Sequence, residues 1–188
     1  WRRLVAATDS RPHPAMKTPR FPQPLRFVLL LVLAVALRPA TAAEAGWKAG
    51  TATVDITPTQ PQWMSGYGGR TKPAEGTLHK LYVRVLALED AGGHRAVVMA
   101  TDLLGIPQSI YDNVSARLQR AFGLKRDQIM IHASHSHCTP VLRNHLYDAY
   151  PLPDSQRPVI EKFSSELEAK IEKTVGEAFG RLAPATLS

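Results

Sequence analysis

The chain has 188 residues, enough for one domain or a piece of one, with a formal net charge of +7 at neutral pH. Residues 1–43 hold seven of the 23 Lys and Arg but only one of the 16 acids, Asp9, which leaves 16 basic and 15 acidic side chains in residues 44–188. That near-neutral body lacks the basic face or stripe that a nucleic-acid binder keeps, so nucleic acid is excluded as an expected partner.

The basic excess has a local explanation. Met16 opens "MKTPRFPQPLR", with Lys17, Arg20 and Arg26, and 11 apolar residues follow, "FVLLLVLAVAL", Phe27 to Leu37. "ATA", Ala40 to Ala42, then offers a small-x-small cleavage site. This three-part layout predicts a secretory signal peptide with its start at Met16, and hence a secreted or periplasmic protein. Eleven apolar residues fall short of the ~20 that span a bilayer. An uncleaved N-terminal anchor is the alternative reading. Residues 1–15 are left out of the expected fold, and residues 44–188 form the expected domain. The single cysteine, Cys138, cannot form a disulfide within the chain; it is read as buried, reactive or a soft metal ligand, burial being the commonest fate of an isolated cysteine.

"AGTATVDITP", Ala49 to Pro58, alternates small and β-branched residues and reads as an opening strand. Asp55 within it is expected to close an Asx-type turn. "WMSGYGGRTKPAEG", Trp63 to Gly76, is Gly-rich, carries aromatics and has no helical period. It reads as a long surface loop of the kind that often carries function. "LYVRVLALE", Leu81 to Glu89, and "RAVVMAT", Arg95 to Thr101, read as strands, with "DAGG" between them as the turn of a hairpin. Pro107 to Phe122 places Ile110, Val114, Leu118, Ala121 and Phe122 on one helical face, with Pro107 in the first turn and Gly123 as the stop. "QIMIHAS", Gln128 to Ser134, reads as a short strand. Val159 to Phe179 reads as a second helix, with a stripe of Ile160, Phe163, Leu167, Ile171, Val175 and Ala178. "RLAPATLS" begins a further extended segment, and the chain is expected to be the N-terminal portion of something longer.

This order predicts an α/β (or α+β) fold with a mixed sheet, a β-hairpin followed by a βαβα unit. Ligands of such sheets sit at the C-terminal ends of strands. Two strands there end in polar residues. One delivers Asp102, and the other delivers "HASHSHCTP" with His135 and His137. While the backbone stays extended, positions i and i+2 share a face, so both imidazoles could address one metal, or one the metal and one its bound water. Asp102 is a candidate catalytic group, as a general base, a ligand, or the group that orients one. The bland readings are a solvated turn for the His-x-His and a turn cap for Asp102. His132 has the opposite parity and is expected as a hydrogen-bonded core or interface residue. His79, His94 and His145 are expected in structural or loop roles. Two imidazoles do not complete a catalytic zinc site, which takes three protein ligands and a water. The chain has no H-E-x-x-H, C-x-x-C, G-x-S-x-G, Walker A or G-x-G-x-x-G motif.

The ordered set "AGTATVDITP", "MSGYGGR", "GTLHKLYVRVLALED", "AVVMATDLLGI" and "IMIHASHSHCTP" resembles the N-terminal domain of the neutral/alkaline (non-lysosomal) ceramidase family, from about Trp47 to Leu142. The resemblance implies a zinc-dependent amide hydrolase that cuts the N-acyl bond of ceramide to a sphingoid base and a fatty acid. It places the family's zinc-ligating histidine on His135. The histidine beside the zinc-bound water and substrate falls on His137. The family's other ligands (a His, a Glu and a Tyr) and its serine belong to later segments. A lipid or other N-acyl amide is the implied substrate, with a peripheral membrane-surface contact. The family's motif continues into a Gly-rich turn after Ser-Gly-Pro. Here "CTPVLRN" follows, a loop expected to line the substrate entrance, which leaves the acyl substrate open. The competing readings are a non-catalytic exported binding or scaffold domain, and a metal-dependent hydrolase of another ester or phosphate bond.

Overall fold

The computed structural model describes residues 46–186; the expected leader with its signal peptide lies outside them. Period-2 burial sets the sheet. In β2 (Tyr82–Glu89), Val83, Val85 and Ala87 are buried while Arg84 is exposed. In β3 (Arg95–Thr101), Val97, Met99 and Thr101 are buried and alternate with exposed neighbours. The two strands form the predicted antiparallel hairpin, from Val83 opposite Thr101 to Glu89 opposite Arg95. Its turn is closed by the Asp90 carboxylate, which accepts the His94 N–H at 2.8 Å. β1 (Trp47–Asp55) pairs antiparallel with β2, and β4 (Ile129–Ala133) pairs parallel with β3. The short β5 (Ala183–Ala185) adds antiparallel to the outer edge of β1. The order is thus β4-β3-β2-β1-β5. It is the mixed sheet expected from the sequence, with a helical crossover between the parallel pair.

That crossover is α1 (Gln108–Phe122), which buries Ile110, Val114 and Leu118. Pro107 stands just ahead of the helix in extended backbone rather than inside its first turn, and its carbonyl accepts the Ile110 N–H at 3.0 Å. Gly123 ends α1 at φ 71°, the left-handed cap predicted for it. α2 (Arg157–Phe179) lays Leu167, Ile171, Val175 and Ala178 on the same sheet face, almost wholly buried, while Ile160 is buried in a second cluster with Trp63. The helices are tied by Asn113, whose amide donates to Glu168 at 3.0 Å, and by an Arg117–Glu172 ion pair at 2.8 Å. No helix among the described residues is long and apolar enough to cross a membrane.

The other sheet face carries no helix among the described residues. Val98 and Met130 are register partners on it, and Met130 is 59 % exposed. His132, beside Ala100 in the same register, is exposed there too, not in the core. Its parity was legible, but parity cannot tell whether a second face is covered.

Asp55 closes the expected Asx turn. It accepts the Thr57 N–H at 2.8 Å and pairs with Lys80 at 3.0 Å. Hydrogen bonds from Thr57, then Lys80, pull its pKa from 3.8 to about 2. The ionised form is therefore favoured in the folded state. Its contribution is fully present above the unfolded value of 3.8 and is lost as pH falls through about 2. Acid titration followed by far-UV circular dichroism should show Asp55→Asn less stable than the parent at neutral pH, the gap closing between these two values.

Candidate active site

The parallel pairing of β3 and β4, with Thr101 opposite Ala133, sets their carboxyl ends side by side. The ladder runs one residue past β4, since the Ser134 N–H donates to the Thr101 carbonyl at 3.0 Å. The backbone then turns. His135 has φ 60°, a left-handed conformation that costs a residue with a Cβ on the order of 1–2 kcal/mol. The His-x-His is therefore not extended, and the i, i+2 parity that would have aligned its rings does not apply. The rings meet nonetheless, with centroids 4.9 Å apart and planes at 72°.

Hydrogen bonds hold this turn. The His135 Nδ1 lies 2.9 Å from the Leu104 carbonyl. A carbonyl can only accept, so Nδ1 carries a proton, and in the neutral imidazole the free lone pair is on Nε2. The Ser136 N–H donates to the Leu103 carbonyl at 3.3 Å. The buried Thr139 hydroxyl accepts the Leu104 N–H at 3.1 Å and donates to the Ser136 carbonyl at 3.3 Å. Leu103 and Leu104, just after Asp102, thus brace the histidine turn from the β3 side.

Asp102 itself turns to β2. It accepts the Tyr82 N–H at 2.9 Å and the Arg84 Nη1 at 3.0 and 3.1 Å. The structure brings His135 and His137 together, while the hydrogen bonds of Asp102 go to Tyr82 and Arg84 instead of either ring.

The loop at residues 63–70 supplies what spacing could not place. Ser65 is pinned to Thr139 twice, its N–H at 2.7 Å and its hydroxyl at 2.9 Å from the same carbonyl. The Gly66 N–H donates to the Tyr150 hydroxyl at 3.0 Å. Gly66 has φ 108°, and a methyl there would come within 2.5 Å of the His137 Cα, so only glycine fits. Tyr67 meets the His137 ring edge-on at 5.0 Å. Arg70 lies 5.2 Å over the Tyr67 ring, and its Nη2 donates to the His137 carbonyl at 2.7 Å. The Gly-rich, aromatic composition of this stretch marked it as a long loop. Its partners some 70 residues away were not legible.

Two expectations change. Cys138 is exposed, not buried, with its sulfur 3.5 Å from Arg70. "CTPVLRN" is for the most part not an entrance lining: Thr139, Pro140, Val141 and Leu142 are buried. They anchor the turn, with Val141 packed against Trp63, Tyr150 and Ile160. Only Cys138 of this stretch faces the open groove of about 870 Å³, which Ser136, Met64, Arg70, Leu78 and His79 also line. His145 is half-buried in a loop, and burial lowers its pKa.

The fold and the site define an α/β domain with paired imidazoles at the carboxyl end of its parallel strands. The chain belongs to the neutral/alkaline non-lysosomal ceramidase family, whose N-terminal profile matches residues 47–187. It is 29 % identical over 164 residues to the neutral ceramidase of Pseudomonas aeruginosa, covering 85 % of this chain and 24 % of that protein. The crystal structure of neutral ceramidase from Pseudomonas aeruginosa shares the fold at a TM-score of 0.62 and 23 % identity, over 75 % of this chain and 22 % of that one. A ceramidase complexed with C2 does so at 0.60 and 24 % identity, over the same shares of the two chains. The chain thus spans about a quarter of the length of the curated relative it matches.

Proposed function

We propose that this chain is the N-terminal part of an exported, zinc-dependent amide hydrolase that cuts the N-acyl bond of a ceramide-like lipid to a sphingoid base and a fatty acid. The observation that carries the reading is His135, whose Nδ1–H is satisfied by Leu104 so that Nε2 is free to ligate. A ligating imidazole with its second nitrogen bound to a carbonyl is the usual arrangement at zinc. The donor set fits part of such a site. No group of three or more His, Cys, Asp or Glu able to hold a metal occurs among the described residues, so the remaining donors would come from outside them. Bound zinc would lower the pKa of water towards ~7 and polarise the scissile carbonyl.

The chain's own residues have separate tasks. His135 holds the metal. His137, within 4.9 Å of the His135 ring, carries a proton to or from the reacting carbonyl and leaving nitrogen. Asp102 supports both by fixing the strand end from which Leu103 and Leu104 brace the turn. The leader directs the chain to a secreted or periplasmic location, where it meets its lipid at a membrane surface.

The test uses the natural full-length protein. Metal analysis should find zinc, and an N-acyl sphingosine with a fluorescent acyl chain should release its fatty acid in a chelator-sensitive way. Protein with neither zinc nor turnover would be a binding or scaffold domain. Zinc with turnover of an ester or phosphate alone would move the reading to another bond. Separately, N-terminal sequencing of exported protein should begin after Ala42; a start at Met16 would show an uncleaved anchor.

A further inference from the structure

We propose that Arg70 is a positioning residue for His137, acting through Tyr67 and through the main chain; the inference rests on the catalytic role proposed for His137. Tyr67 is 57 % exposed, so core packing does not fix its ring. Glycines at 66, 68 and 69 flank it and leave it little local restraint. Upstream, the loop is anchored, because Ser65 is held by Thr139 and Gly66 by Tyr150. Downstream, the restraint is Arg70. Its guanidinium lies 5.2 Å over the Tyr67 ring, a cation–π contact. The same guanidinium donates to the His137 carbonyl at 2.7 Å.

One planar group therefore ties the aromatic that packs on the imidazole to the backbone that carries it. Guanidinium, Tyr67, His137 and His135 form one continuous run of contacts, with the rings meeting edge-on at centroid distances of 5.0 and 4.9 Å along it. No carboxylate pairs with Arg70 among the described residues. Its contacts are spent on the histidine turn, not on a surface ion pair. Removing it frees Tyr67 to swing on its glycines and leaves the His137 ring without a lateral wall.

The experiment is a double-mutant cycle in the natural full-length protein, with Arg70→Met, Tyr67→Ala and both together. Each single variant should lower kcat roughly 10- to 100-fold, the scale of a misplaced catalytic group, and leave KM within about twofold. The double variant should be no worse than the worse single. Tyr67→Phe keeps the ring and should lose much less than Tyr67→Ala. Arg70→Lys keeps the charge but not the planar face. It should fall between parent and Arg70→Met, and it carries the test if Arg70→Met fails to fold.

A readout independent of turnover is the ¹³C-labelled His137 ring signal. It should lose its ring-current shift in Arg70→Met and Tyr67→Ala, with zinc content unchanged. Unchanged kcat, a rise in KM alone, or multiplying losses in the double variant would overturn the positioning role. If the parent hydrolyses no N-acyl substrate, the proposed function fails by itself. The ring signal then still decides: an unmoved His137 resonance in Arg70→Met would dismiss Arg70.

Discussion

Replacing His135 by alanine in the natural full-length protein is expected to empty the proposed zinc site and lower the proposed N-acyl hydrolysis by at least about 10³-fold, equivalent to roughly 4 kcal/mol of transition-state stabilisation. The expectation follows from local geometry. The Leu104 carbonyl accepts the Nδ1–H hydrogen bond, which leaves Nε2 available to a partner outside the turn. The left-handed backbone at His135 points the same way, since strain of this kind persists where surrounding contacts hold it and clusters at functional sites. Alanine removes the ligand without opening a core cavity, because His135 is exposed. The thermal midpoint of metal-free protein should accordingly change little. His137→Ala should behave differently, retaining zinc while losing roughly 10²- to 10⁴-fold in rate, the range of a general acid–base group. Equal zinc in parent and His135→Ala would remove His135 from the site.

How much of this could be read from the residues divides along sequence separation. β2, β3, α1 and α2 were legible because each carries its own period and its own stop, such as Asp90 to Gly93 or Gly123. The adjacency of the β3 and β4 ends was legible because a crossover helix forces a parallel pair. The meeting of His135 and His137 was expected for a reason that does not hold. Extended parity would have aligned them, whereas a left-handed residue and bonds from Leu103, Leu104 and Thr139 gather them instead. The roles of Thr139, Val141 and Leu142 were illegible, because their burial depends on distant partners that no local pattern announces: Ser65 and Leu104 for Thr139, Trp63 and Tyr150 for Val141, and the main core for Leu142. Cys138 escaped the rule that isolated cysteines are buried for the same reason. Its neighbours are pinned inward, and it is left facing the groove.

The residue that secures this anchored segment from the other side is Arg143. Its N–H donates to the Ser164 hydroxyl at 3.0 Å, and its guanidinium reaches Glu168 at 2.8 Å and Glu161 on α2. The Glu168 side chain is 5 % exposed and that of Arg143 is 16 % exposed, so their pairing is largely out of water. Arg143→Met should then cost about 3–5 kcal/mol, since it leaves a buried carboxylate with one amide donor, Asn113, in place of a cation. For a domain of this size that is a fall of roughly 6–20 °C in Tm. The loss measures an orphaned charge, not the worth of the pair. Desolvating two ions offsets most of their attraction, and an apolar pair of similar volume is often neutral. Arg143→Met combined with Glu168→Leu should therefore recover most of the stability in chemical denaturation followed by circular dichroism. A single variant within about 1 kcal/mol of the parent would show that water reaches Glu168. A double variant as unstable as the single would show instead that Arg143 acts through the Glu161 contact at the helix surface, where the arginine clamps the anchor to α2.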